Sequence, residues 1–201
     1  MTVSMASRKP AHTPRQRSTR PWAHLLIAAL LAAILATAAP LIGVTTYGWT
    51  AIAVTTILGA RLAHVDERTH TLPNRLTGSL ATFGIIQAIG VSWWQHTPAP
   101  LATAASAAGV LGVAYAVLAF TGSCGFGDVK LAAALGLTAA PYAGFLTLYI
   151  LPIAFMISAV RIMGRRLRGR GDRHPHGTSL VIAGLAVMVG AMLAGPALAG
   201  M

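Results

Sequence analysis

Only four acidic side chains occur in the 201 residues of this chain: Asp66, Glu67, Asp128 and Asp172. With 55% hydrophobic and 9% charged residues around them, each position carries information. Asp172 sits among arginines and reads as a local counter-charge. Asp66 and Asp128 stand at the edges of long apolar stretches, which would put them at one depth. Two carboxylates brought together share a single proton. One can then activate a water while the other protonates a leaving group, the chemistry by which an aspartyl protease hydrolyses a peptide bond.

The residues around each Asp fit that chemistry. In Gly125-Phe126-Gly127-Asp128-Val129-Lys130-Leu131 the glycines allow extended or left-handed backbone and admit a second chain closely. Asp128 would then open a helix, where unpaired N–H groups and the macrodipole complement a carboxylate. In Asp66-Glu67-Arg68-Thr69-His70-Thr71-Leu72-Pro73-Asn74, Pro73 forces an extended approach and Asn74 can cap the next helix. Either Asp alone reads equally well as a helix boundary reaching water. The pair is informative only if the fold brings the two together.

The elements that must do so are membrane helices. A soluble domain carries about 25% charged residues, far above this chain. Its apolar runs match the roughly 20 residues of helix that cross a ~30 Å hydrocarbon core. They lack the alternation of a membrane β-barrel. Apolar stretches at about 22–39, 41–60, 76–94, 101–120, 129–140, 143–160 and 178–199 predict an all-α polytopic bundle of about six or seven transmembrane helices. The stretch 129–140 is the shortest. Residues 1–21 read as a disordered, basic cytoplasmic arm and 22–201 as the membrane domain.

Charge placement orients the bundle. All 15 Lys and Arg residues fall in the amino-terminal arm, in 61–75, at Lys130 or in 161–173. The connections near 40–48, 95–100 and 140–143 carry none. By the positive-inside bias the amino terminus and the charged connections are cytoplasmic, and Trp93 and Trp94 fit the outer interface. A single crossing between Lys130 and Arg161 would put six arginines outside, so 129–160 must make two short, coupled crossings or none. This placement accounts for the formal charge of +11 without nucleic acid as a partner. The first stretch, ending in Ala36-Thr37-Ala38, also reads as a cleavable secretory signal, which leaves the later topology unchanged.

At the two Asp stretches the sequence resembles the prepilin peptidases, or type IV leader peptidases, among the GxGD intramembrane aspartyl proteases. Their first motif is similar to Asp66 followed seven and eight positions later by Pro73 and Asn74, with Arg68 at a commonly basic site. Their second, Gly-x-Gly-Asp-x-Lys-Leu, is met by Gly125, Gly127, Asp128, Lys130 and Leu131. Pro175-His176-Gly177 before the last apolar stretch is a looser likeness to the family's Pro-x-Gly, with Thr178 and Ser179 departing from its pattern. The likeness covers roughly residues 45–195.

It implies a multi-pass enzyme of the bacterial inner membrane. Such an enzyme removes the basic leader of prepilin or pseudopilin substrates at the cytoplasmic face, with Asp66 and Asp128 as the catalytic pair. Lys130 and Arg68 already follow from the positive-inside rule and are taken as neighbours of the site. Many relatives carry an amino-terminal extension with paired cysteines and methylate the new amino terminus. Here 65 residues precede Asp66, and the lone Cys124 supplies neither a disulfide nor a four-cysteine zinc site, which argues against methylation.

Hydrolysis by a dyad and water needs no cofactor. The histidines His64, His70, His174 and His176 make a metal site conceivable, but their spacing is not diagnostic and they read as solvated loop residues. Cys124 reads as a small packing residue. The competing function is a proton-coupled transporter that uses the same two acids as carriers, and a third is an assembly factor that merely holds pilins. The sequence leaves the oligomeric state and the particular pilin open. If the glycine motif admits substrate backbone, Gly127→Val should block cleavage of a co-expressed prepilin, measured by mass, while leaving membrane insertion intact.

Overall fold

The computed structural model of the chain describes residues 44–69, 71–169 and 176–198. The expectations for the basic arm, the first apolar stretch, His70, Asp172, His174 and Pro175 lie outside the described residues. Those residues hold six α-helices, one 3-10 helix and no strand. In chain order they are α1 (Val44–Thr69), α2 (Asn74–Trp94), α3 (Ala99–Phe120), α4 (Phe126–Ala143), the 3-10 helix η1 (Gly144–Tyr149), α5 (Ile150–Leu167) and α6 (His176–Leu198).

Four stretches of the described residues are long and apolar enough to cross a membrane: Asn74–Trp94, Ala99–Phe120, Phe126–Leu167 and His176–Ala194. The chain is a multi-pass membrane protein. The third stretch is not one rod, because it contains α4, η1 and α5. Gly144 adopts φ +52° and ψ −131° where α4 ends, a conformation that side chains disfavour. The chain then returns to the end it left, since Arg161 of α5 pairs at 2.8 Å with Glu67, the neighbour of Asp66. Paired short helices, rather than a single crossing, therefore occupy 126–167. The helix α1 is not among the four stretches, as its threonines and the charged run from Arg61 to Arg68 dilute its apolar character.

The helix bounds differ from the hydropathy reading where charged residues are involved. The second apolar stretch is expected to end near residue 60, whereas α1 continues to Thr69, so that Asp66 lies within its last two turns. The expected cap also moves. Pro73, at φ −68° and ψ 126°, is the residue before α2, and its carbonyl accepts the N–H groups of Leu76 at 3.0 Å and Thr77 at 3.3 Å. Asn74 is thus the first helical residue, and no side chain caps α2.

The helix α4 is the centre of the bundle, packed by α1, α2, α3 and α6. Its buried positions, among them Leu131, Ala132, Ala134, Leu135, Gly136, Ala139 and Ala140, point to several sides at once. Small residues suit a helix enclosed in this way, since lipid supplies no hydrophobic drive between helices and close packing must hold them. Around it Leu62, Leu80, Phe83, Leu111, Tyr115, Leu180 and Met188 fill the core. The outward faces are apolar as well, with Val110, Val113 and Val117 of α3 and Met156, Val160 and Met163 of α5 exposed, as a lipid-facing surface requires.

Gly136 sets how near α3 can come to α4: a Cβ there would stand 2.8 Å from the Ala108 backbone, which cannot yield as a side chain can. Gly136→Val should therefore lower the melting temperature of the detergent-solubilised protein by an amount equivalent to about 1–3 kcal/mol. Gly109→Ala, where an added Cβ meets nothing within 4 Å, should leave it unchanged or raise it.

Candidate active site

Asp66 and Asp128 come from different helices and line one open cavity of about 440 Å³. Such a volume falls within the roughly 300–1,000 Å³ of small-molecule sites. Both side chains are nearly enclosed, at 5% and 8% exposure, and Asp66 acts electrostatically on Asp128. Asp66 arrives on the end of α1 and Asp128 on the first turn of α4, so the cavity lies at the charged end of the bundle. More of the wall comes from the start of α2 and of α4, from the two connecting loops, through Thr71, Leu72, Ser123, Cys124 and Gly125, and from the first residue of α6, His176.

Each carboxylate has a local support. Gly125 is extended, at φ −88° and ψ 155°, and its N–H donates to Asp128 Oδ2 at 3.1 Å, while the Asp128 N–H donates back to the Gly125 carbonyl at 3.0 Å. This reciprocal pair fixes the start of α4 and the aim of its acid together. On the other side, a Cβ at Gly177 would stand 2.8 Å from Asp66 Oδ2 and 3.2 Å from Leu72. The first turn of α6 therefore rests directly on the Asp66 carboxylate, a fit open only to glycine.

Two contacts join the motif segments to each other. Leu72 packs so closely on Gly127 that a Cβ there would lie 3.0 Å from the leucine Cβ. At the rim, Lys130 Nζ donates to Asn74 Oδ1 at 2.8 Å. These contacts revise three expectations. Asn74 serves as the acceptor for Lys130 instead of capping α2, because Pro73 already supplies the turn. Lys130 contributes to the geometry and is more than a consequence of charge bias. Gly127 is small first for Leu72, so a valine there would part the two loops before it met any substrate.

Of the residues singled out from sequence, Asp66, Asp128, Gly125, Gly127, Lys130 and Asn74 line the cavity. Arg68 is exposed on the last turn of α1 and does not, and Pro73 acts only through the turn it makes. Residues 52–163, more than half of the chain, match the Type IV leader peptidase family. The chain belongs to that family. The match spans both Asp segments and establishes a leader peptidase-like membrane protease. No curated protein and no solved structure gives a significant match.

Sequence reasoning on this leader peptidase family member missed His176. Expected as a solvated loop residue, it is the first residue of α6 and part of the cavity wall. Its Nε2 lies 3.1 Å from Tyr115 Oη and its Nδ1 2.8 Å from Ser158 Oγ. The available signal was the glycine that follows it, which only tertiary contact explains. Among the described residues no group of three or more His, Cys, Asp or Glu is placed to hold a metal ion. Burial pushes the Cys124 thiol above its ordinary value and the Asp128 carboxylate adds to the effect, so Cys124 is a poor nucleophile despite lining the cavity.

The contact between Gly177 and Asp66 makes a specific prediction. Gly177→Ala must displace the carboxylate or the first turn of α6 and should lower peptidase activity at least about tenfold. Gly125→Ala, with no atom nearer than 3.8 Å to the new Cβ, should leave the melting temperature unchanged.

Proposed function

We propose that this chain is an integral-membrane aspartyl endopeptidase that removes the leader peptide of prepilin-like or pseudopilin-like substrates. The observation that carries the reading is the placement of Asp66 and Asp128, from separate helices, on one open cavity. In the proposed reaction the two carboxylates share one proton. A water held between them is deprotonated by one and attacks the scissile carbonyl, while the other protonates the departing amine. Oxygen and protons balance with water alone, so the reaction calls for no cofactor.

The extended backbone at Gly125, open on its Cβ side, offers a surface along which substrate backbone could lie. Leu72 on Gly127 and Lys130 on Asn74 would hold the dyad's two loops in register, with Pro73 setting the turn and Arg68 outside the cavity. The charged end of the bundle is assigned to the cytoplasm of a bacterial inner membrane by the positive-inside bias, with residues 1–21 as a basic arm and 22–201 as the peptidase domain. The substrate's leader would then be cut at the cytoplasmic face. Methylation of the new amino terminus is not part of the proposal.

Co-expression with a prepilin of the same genome tests the reading by substrate mass, with wild type, Asp66→Asn and Asp128→Asn at matched membrane levels. Loss of the leader is expected with wild type alone, each variant falling by at least about a thousandfold, since a carboxamide can neither take a proton from water nor give one to the departing amine. Processing by either variant would remove the dyad. A prepilin left intact by wild type would favour the proton-coupled transporter, which also needs both acids.

A further inference from the structure

His176 is held more firmly than a wall residue needs to be. A neutral imidazole has one donor and one acceptor nitrogen. Here both nitrogens face hydroxyls that can play either part, Tyr115 Oη at 3.1 Å and Ser158 Oγ at 2.8 Å. The ring also lies against Phe155 and Tyr115, with centroids 5.0 Å and 5.7 Å away. Tyr115 and Ser158 are themselves buried, at 0% and 5% exposure. With both nitrogens engaged, the ring is fixed in its plane by two hydroxyls from different helices.

What this arrangement connects is more informative. Tyr115 belongs to α3, Ser158 and Phe155 to α5, and His176 to α6, yet α3 packs as a helix on neither α5 nor α6. Tyr115 stacks directly on Phe155, with centroids 6.1 Å apart, and the imidazole adds a hydrogen bond from α6 to each of the two other helices. The residue after it, Gly177, bears on the Asp66 carboxylate, and Tyr115 lies within electrostatic reach of Asp128. One hydrogen-bonded side chain thus touches the surroundings of both acids, from a side that neither sequence motif supplies.

We infer that His176 is a positioning residue of the site: clamped by Tyr115 and Ser158, it fixes the first turn of α6 against Asp66 and so sets the relation of the two aspartates. The inference rests on the reading of Asp66 and Asp128 as the catalytic pair. His176→Phe keeps the ring contacts and removes both hydrogen bonds, and His176→Gln returns a donor and an acceptor on a flexible chain.

The test uses the full chain in lipid nanodiscs with a purified prepilin. His176→Phe should lower kcat by roughly ten- to a hundredfold, with KM within about twofold and an unchanged melting temperature. His176→Gln should recover part of the rate. Tyr115→Phe should lower kcat alone but add nothing in the His176→Phe background, because the bond it removes is already gone. A wild-type kcat in His176→Phe overturns the inference. So does a loss matched by a lower melting temperature, which marks His176 as a packing residue only.

A second arm needs no substrate. With carbon-13 in the aspartate carboxyls, assigned through Asp66→Asn and Asp128→Asn, His176→Phe should shift both resonances. If wild type cleaves no prepilin but the resonances shift, the positioning role stands and the peptidase reading falls. Unshifted resonances overturn the positioning role whatever the substrate.

Discussion

Two carboxylates facing one cavity at the end of an apolar bundle oppose their own placement. Each loses water on burial and each repels the other. The scaffold must therefore offset both costs where the acids stand. Backbone does so for Asp128, through the Gly125 N–H, while the first turn of α6 lies close against Asp66. Oriented amides complement negative charge without bringing another mobile charge into the site. At Gly177 the approach to Asp66 leaves no room for a side chain.

The position of α4 follows from the same requirement. Asp128 stands on its first turn, so any tilt or slip of α4 would move the acid. Neighbours on four sides restrain that motion, and the close approach of α3 at Gly136 lets backbone rather than flexible side chains define the spacing. At the rim, Lys130 to Asn74 and Leu72 to Gly127 transfer this precision to the loop that follows Asp66. Glu67 with Arg161 at 2.8 Å and Thr178 at 3.5 Å from Glu67 join the ends of α1, α5 and α6 beside it. Exposed pairs of this kind are worth little singly, and their effect here is directional.

Much of the site was legible because membrane chains spend few charges. With four acids in the sequence, Asp66 and Asp128 stood out by scarcity, and the glycines of 125–128 announced a tight, backbone-rich approach. Lys130 and Asn74 were noticed for other reasons, a charge bias and a helix cap, because their true relation spans 56 residues of sequence and no local pattern encodes it. His176 was misread for the same cause. A histidine before a glycine looks like a loop residue until Tyr115, 61 positions earlier, is folded onto it.

The sequence by itself determined the class of molecule, the approximate positions of the described helices and the pair of acids, since hydropathy, charge scarcity and glycine spacing are properties of local composition. It also required 129–160 to return to the side it left, by two short, coupled crossings or none, a deduction from charge parity alone. Only the tertiary structure decided that the acids meet in one cavity, that Gly127 and Gly177 are small for Leu72 and Asp66, and that a histidine closes the site from α6. Those facts depend on which helices pack together and how closely their backbones approach, and small residues permit many such packings while specifying none until all the helices are in place.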